Sequence, residues 1–277
     1  MAGYLQNPET GGSRKPVTVP RLIAMRGRGE KITVVTAYDA PTAAWAEAAG
    51  IDVVLVGDSL GTVIQGLPDT LPVTLDEMIY HARCVRRTLV HPLLVVDLPF
   101  GTFQRGVDAT VDASIRVLKE SGAAAVKIEG GERVLDAIAA CTRQDIPVMG
   151  HLGLTPQSVH AFGGFRRQGK DADSARRIID DARRLQDAGV FSIVLECVPD
   201  DLAKAVTEAV EVPTIGIGAG PHCSGQVLVM HDLLGMLPRT PSFVRRYAEV
   251  GQTAVEALQA YRDDVREGRF PQAEDKA

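Results

Sequence analysis

The chain has 277 residues, 45% of them hydrophobic and 23% charged, an ordinary globular composition with room for one barrel-sized domain or two smaller ones. Its 30 Lys and Arg against 35 Asp and Glu leave a net charge of −5, which gives no basic footprint for nucleic acid or an anionic membrane. The start has no apolar signal segment, and no apolar run reaches the length of about 18 residues that spans a bilayer. The four cysteines (Cys84, Cys141, Cys197, Cys223) lack zinc or disulfide spacing, so a cytoplasmic location is expected.

Residues 1–16 are polar and rich in Gly and Pro, the composition of a disordered tail. VPRLIAMRGRG predicts a short helix ahead of the main fold. ITVVTAYD (32–39) reads as a strand, and Asp39-Ala-Pro41 as the start of a helix that closes at Gly50. The next strand, VVLVGD (53–58), is followed by the helical TLDEMIYHARCVRRTL, whose Thr74 and Glu77 have capping-box spacing. LLVVDLP (93–99) precedes a helix closing at Gly122, and AAVKIEGG (124–131) precedes ERVLDAIAACTRQ. IPVMGHLG (146–153) leads through a glycine-rich loop to ADSARRIIDDARRLQDAG, and FSIVLECVP (191–199) to DLAKAVTEAVE. VPTIGIGAG (212–220) and QVLVMHD (226–232) follow in close succession. A last helix is expected over 242–265, then a flexible tail over 266–277.

Continuously apolar strands separated by helices are what a parallel sheet buried on both faces requires. Eight such units without a linker predict an α/β fold, a closed (β/α)8 TIM barrel, as a single domain over 17–265 with a short N-terminal helix. A doubly wound sheet is the alternative, but no G-x-G-x-x-G follows the first strand.

Polar residues collect where the predicted strands end: Asp39, Asp58-Ser59, Asp97, Lys127 with Glu129, His151, Glu196, the glycines of GIGAG and His231-Asp232. In a closed barrel these share one mouth, where barrel enzymes carry their sites. Taken singly, each could equally be a helix cap. Asp58, Asp97 and Glu129 end adjacent strands, and three acids brought together repel unless a cation or protons offset them. Mg²⁺ suits such oxygen donors, with Ser59 standing beside it. Lys127 could form a Schiff base or stay charged to stabilise an oxyanion, and neighbouring acids favour the charged form. Glu196 could be a general base or a salt-bridge partner. His151 could orient a substrate or be structural. Gly216, Gly218 and Gly220 allow either a phosphate cradle or close packing. The basic segment HAFGGFRRQGK (160–170) could meet an anion, such as a polyglutamate tail, or be a solvated loop.

Taken together, GDSLG with QG (57–66), LPVTLDEMIYH, VVDLPFG, VKIEGG, GHLGLTPQSV, FGGFRRQG, LECVP, IGIGAG and GQVLVMHD closely resemble the 3-methyl-2-oxobutanoate (ketopantoate) hydroxymethyltransferase family. The likeness runs in order from about residue 17 to 265. It implies a (β/α)8 barrel that assembles as a homodecamer of two pentameric rings. It also implies hydroxymethyl transfer from 5,10-methylenetetrahydrofolate to 3-methyl-2-oxobutanoate, giving 2-dehydropantoate and tetrahydrofolate in pantothenate biosynthesis. By resemblance, Asp58 and Asp97 match acids of a site for one Mg²⁺ per subunit, and Glu129 the acid beside the metal. Ser59 and Lys127 match residues that contact the keto acid, together with Asp58 and Asp97. Glu196 matches the proton acceptor, and His151 a histidine near the substrate. The segment LPFGTFQRG (98–106) departs from the family's common pattern, with Gln104 and Arg105 where a Tyr often follows the Phe.

Two other classes compete. One is a Mg²⁺-dependent 2-oxo-acid lyase or mutase of the phosphoenolpyruvate mutase and isocitrate lyase type, although here VKIEGG runs directly into a helix. The other is a non-catalytic barrel used for binding, against which the presence of Asp58, Asp97, Glu129 and Lys127 argues.

Overall fold

The computed structural model describes residues 14–272. Most of the expected N-terminal tail and part of the C-terminal one lie outside the described residues, and 14–18 and 267–272 form neither helix nor strand. Eight strands run in parallel in chain order: β1 (Ile32–Thr36), β2 (Val53–Val56), β3 (Leu93–Asp97), β4 (Ala125–Glu129), β5 (Val148–Gly153), β6 (Ser192–Glu196), β7 (Thr214–Ile217) and β8 (Gly225–Leu228). β8 pairs with β1 and closes the barrel. β2, β3 and β4 are buried at every residue, as helices on the outside and side chains within require. Among the described residues no helix is long and apolar enough to cross a membrane.

The helices are α1 (Val19–Gly27), α2 (Ala40–Ala49), α3 (Leu60–Val63), α4 (Leu75–Arg86), α5 (Val107–Ser121), α6 (Leu135–Thr142), α7 (Val159–Phe162), α8 (Ala172–Asp187), α9 (Asp200–Ala209), α10 (Met230–Leu233) and α11 (Val250–Arg266). Their ends follow local chemistry. Asp39 caps α2 by accepting from Thr42 N, and left-handed Gly50 ends it. Thr74 and Glu77 form the expected capping box at α4.

By packing, the chain comprises two compact units. One ends at Leu228 and contains the whole barrel; the other begins at Val229 and contains α10 and α11. The last helix starts at Val250 rather than near 242. The reason is a competing set of backbone bonds: Tyr247, Val250 and Gly251 donate to Leu233, Leu234 and Gly235, which fixes the preceding segment in a turn. The eighth strand likewise stops at Leu228, and His231 and Asp232 belong to α10.

Strand alternation places every second side chain inside the barrel. Ile32, Val34, Val53, Leu55, Leu93, Val95, Ala125, Met149, Val194, Ile215 and Val227 form one apolar cluster with Leu22 and Met25 of α1. Because Ile32, Val53, Leu93 and Ala125 open their strands, α1 seals the barrel's N-terminal end. Arg26 fixes that plug by donating to the carbonyls of Thr207, Val210 and Glu211 at the end of α9, where the helix dipole favours a cation.

A second charged contact lies at this end. Glu47, near the end of α2, pairs with the His91 ring just ahead of β3 and accepts from the backbone N–H groups of Val90 (2.8 Å) and His91 (3.0 Å). Burial disfavours its charged form, but these bonds more than offset that and hold the carboxyl below the usual range. Replacing Glu47 with Gln is expected to cost about 2 kcal/mol at neutral pH. The folded-state pKa lies below the unfolded one, so this contribution is present above about pH 4.5 and fades as pH falls through the folded value. Urea unfolding near neutrality and in acid should show the gap between wild type and variant narrowing in acid; a constant gap would exclude charge as its source.

At the other end, β5 finishes at Gly153, with φ +93°. A Cβ there would lie 2.3 Å from the Glu196 carbonyl oxygen and 2.8 Å from Val198 Cγ1. Gly153→Ala is therefore expected to lower Tm by about 3 °C or more. An unchanged melting curve would show that the strand ends separate freely.

Candidate active site

The alternation that fills the lower barrel with apolar groups also aims the upper ones. Asp97 shares the inward parity of Val95, Lys127 and Glu129 that of Ala125, His151 that of Met149, and Glu196 that of Val194. Strand register then sets neighbours side by side: Asp97 beside Lys127, Glu129 beside His151, and Gly153 beside Glu196. Asp58 follows β2 rather than lying in it, and its backbone N–H donates to Asp97 Oδ2 at 3.1 Å. Asp58, Asp97, Lys127, Glu129 and His151 are at most 4% exposed.

Lys127 Nζ donates to Asp97 Oδ1 and lies 3.8 Å from Glu129 Oε1. Burial alone would favour the neutral amine, but Asp97, Glu129 and Asp58 outweigh it and raise the lysine pKa. Lys127 is thus a held cation, which argues against the Schiff-base role. His151 bridges two acids, with Nδ1 3.4 Å from Glu129 Oε1 and Nε2 3.3 Å from Glu196 Oε2. These contacts lie outside good hydrogen-bond geometry yet within ion-pair range. Burial and Lys127 oppose charge on the ring, but the two glutamates push its pKa up to about 9.

The acids divide between these cations. Burial raises the Glu129 pKa, but His151, Lys127 and the Gln157 N–H bring it below the usual value. Asp97 is raised by burial, with Lys127 pulling against it. Asp58 is raised well above the carboxylate range by burial, then by the charges of Glu129 and Asp97. Four carboxylates, counting Glu196, thus surround two cationic side chains. Asp58 is the acid those cations serve least.

Asp58 and Asp39 both follow barrel strands, yet they do different work. Asp39 spends its carboxylate on the α2 cap, whereas Asp58 directs its own inward, where Oδ2 accepts from Gln157 Nε2 at 3.0 Å. Ser59 opens α3 without capping it and is bonded to the Tyr38 hydroxyl at 2.7 Å. Glu196 is the more open acid, its side chain 17% exposed. It is followed by Cys197, a non-glycine residue at φ +48°. This reversal lets Cys197 N–H reach Ile217 O while its own carbonyl accepts from Gln168 N–H.

Two participants escape the strand-end pattern. Tyr38 lies two residues beyond Thr36 on the inward parity of β1, a signal that extending the alternation past the strand would have found. Gln157 comes from the 3₁₀ turn Pro156–Ser158 and has no periodic signature. The glycine run serves close packing: a Cβ on Gly216 would meet Cys223 Sγ at 3.1 Å, and one on Gly220 would meet the Asp200 carboxyl at 2.5 Å. In the basic segment, Arg167 pairs with Asp200 at 3.5 Å and Phe165 is exposed.

Among the described residues no group of three or more His, Cys, Asp or Glu forms a metal cage. The donors do fit a hard dication held by fewer protein groups. Asp58 and Asp97 adjoin, and Glu129 Oε1 beside them is buried without a hydrogen bond. Mg²⁺ commonly takes one or two carboxylates and completes its shell with water or substrate oxygens.

Residues 16–273 match the family profile of ketopantoate hydroxymethyltransferase. The chain is 54% identical to the 3-methyl-2-oxobutanoate hydroxymethyltransferase of Moorella thermoacetica over 262 residues, 94% of this chain and 97% of the relative. It is 50% identical to the enzyme of the same name from Trichlorobacter lovleyi, covering 94% and 98%. Solved structures with a similar fold include a phosphonopyruvate hydrolase in complex with oxalate and Mg²⁺ (TM-score 0.61, 16% identity, 94% and 93% covered). Another is a 2,3-dimethylmalate lyase of the PEP mutase/isocitrate lyase superfamily (TM-score 0.58, 18% identity, 94% and 91% covered). At such identities these two share the barrel alone, whereas the match in sequence extends along nearly the whole chain. The chain belongs to the ketopantoate hydroxymethyltransferase family.

Proposed function

We propose that this enzyme transfers a hydroxymethyl group from 5,10-methylenetetrahydrofolate to 3-methyl-2-oxobutanoate, forming 2-dehydropantoate and tetrahydrofolate in cytoplasmic pantothenate biosynthesis. The observation that carries the chemistry is the charge balance at the barrel mouth: four carboxylates against Lys127 and His151. Asp58 and Asp97 would hold one Mg²⁺, with Glu129 beside it, and the dication's charge offsets the surplus. When bound, the ion supplies Lewis-acid polarisation of the 2-oxo oxygen.

The side chains supply the rest. Ser59 and Lys127 bind the keto acid, and the Lys127 ammonium stabilises negative charge developing on its 2-oxo oxygen. Glu196, the open acid, takes the proton from C3. His151 keeps that carboxylate aimed while pairing with Glu129 behind it. The C3 electron pair forms a bond to the folate-derived one-carbon unit, water supplies the hydroxyl, and the folate nitrogens leave protonated. The substrate's own carboxylate adds a further reason for cations at this depth.

The working assembly is a homodecamer of two pentameric rings. Supporting an assembly, α11 has no buried residue, and Val255, Leu258, Tyr261 and Val265 form an exposed apolar face at helical spacing. Leu258→Asp is expected to reduce the mass measured by light scattering from that of a decamer; an unchanged mass would separate this face from assembly.

The chemistry is tested by exchange of the C3 proton of 3-methyl-2-oxobutanoate in D₂O with Mg²⁺, alone and with methylenetetrahydrofolate. Exchange that slows by about 100-fold or more in Glu196→Gln is expected, together with an equal loss of 2-dehydropantoate formation. Full exchange in that variant would move the base elsewhere, and absence of 2-dehydropantoate with the wild-type enzyme would refute the reaction.

A further inference from the structure

A run of amide hydrogen bonds leads from the protein surface to Asp58. The Gly101 backbone N–H donates to Gln104 Oε1 at 2.8 Å, and Gln104 Nε2 donates to Gln157 Oε1 at 3.2 Å. Gln157 Nε2 then donates to Asp58 Oδ2 at 3.0 Å and to Leu98 O at 2.9 Å. Gln157 is buried and its own backbone N–H meets Glu129 Oε2 at 3.1 Å, so one residue touches two of the site's acids. Gln104 is exposed, on the connection between β3 and α5.

The polarity of this run is set by its inner end. Leu98 O can only accept, so Gln157 must present Nε2 to it, beside Asp58 Oδ2, and turn Oε1 the other way. That leaves a buried carbonyl oxygen in need of a donor, which Gln104 provides. Gln104 can provide it because Gly101 N–H occupies its own carbonyl oxygen and leaves Nε2 pointing inward. Donation into one end of an amide strengthens donation from the other. The bond to Oδ2 fixes the direction in which Asp58 presents its carboxyl group.

We infer that Gln104 and Gln157 are positioning residues, which orient Asp58 as a ligand for a divalent cation and link cation binding to segment 99–106, exposed at Phe100 and at Gln104 to Gly106. Neither residue touches the reacting atoms. The inference rests on the cation site proposed above at Asp58 and Asp97, and it is independent of the identity of the substrate.

The test uses the full-length enzyme and Mn²⁺ as probe, with free Mn²⁺ read by electron paramagnetic resonance. Gln157→Ala is expected to raise the Mn²⁺ Kd by about 10-fold or more, the scale of losing a partner that orients a metal ligand. Gln104→Glu keeps the size and the contact with Gly101 but cannot donate. It should raise the Kd at least as much as Gln104→Ala, and neither change should add to the effect of Gln157→Ala. Under saturating Mg²⁺ the Gln104 variants should recover kcat while the KM for Mg²⁺ stays raised. Hydrogen exchange gives a second readout: Mn²⁺ should slow the amides of 99–106 in the wild type and leave them unchanged in Gln157→Ala. Tight Mn²⁺ binding unaffected by Gln104→Glu and Gln157→Ala, or effects that simply add, would overturn the relay and leave the cation site standing. Failure of the wild type to bind Mn²⁺ would overturn both.

Discussion

Placing four carboxylates and two cationic side chains inside the end of an otherwise apolar barrel is the constraint from which the site follows. None of these groups could be buried alone without neutralising. Three of the acids are made tolerable by a neighbour supplied by an adjacent strand: Asp97 by Lys127, Glu129 by His151, and Glu196 by the same imidazole from the other side; Asp58 has the Gln157 amide instead. Register is therefore as much a chemical requirement as a structural one. A slip of one residue in β4 would turn Lys127 and Glu129 outward together, leaving Asp97 buried against no cation. The closed parallel ladder prevents such a slip, because each strand is held from both sides.

The lower core makes that arrangement affordable. Large apolar side chains from the strand starts and from α1 fill the barrel below the charges, so water has no path from that end and the electrostatic contacts above are little screened. The same low screening makes an imperfectly matched charge expensive. Asp58, raised well above its usual value by burial and by the charges of Glu129 and Asp97, marks where the side-chain cations alone fall short.

Much of this could be read from residue order. Eight apolar runs with helical intervals announced a parallel barrel, and polar residues at the run ends announced a mouth, since both patterns are local and periodic. What could not be read depends on contacts distant in sequence. Gln157 reaches Asp58 across 99 positions and Leu98 across 59, from a turn whose sequence carries no repeat. The start of α11 was misplaced because backbone bonds to Leu233, Leu234 and Gly235 outcompete helix formation in residues whose composition suits a helix. Strand-end position also could not separate Asp39 from Asp58, as both precede a helix; only the side-chain partner does so. A phosphonopyruvate hydrolase sharing this barrel at 16% identity makes the complementary point that the scaffold leaves the chemistry open.

The Glu47–His91 pair gives the barrel a second charged system, remote from the first. It joins the end of α2 to the entry of β3 at the sealed N-terminal end, whereas the proposed site occupies the opposite rim. One contribution to acid-dependent stability is thereby placed outside the proposed site, with the apolar core between them. Selection, or an engineer, could tune this part of the protein's response to acid at the lower pair while leaving the proposed site untouched.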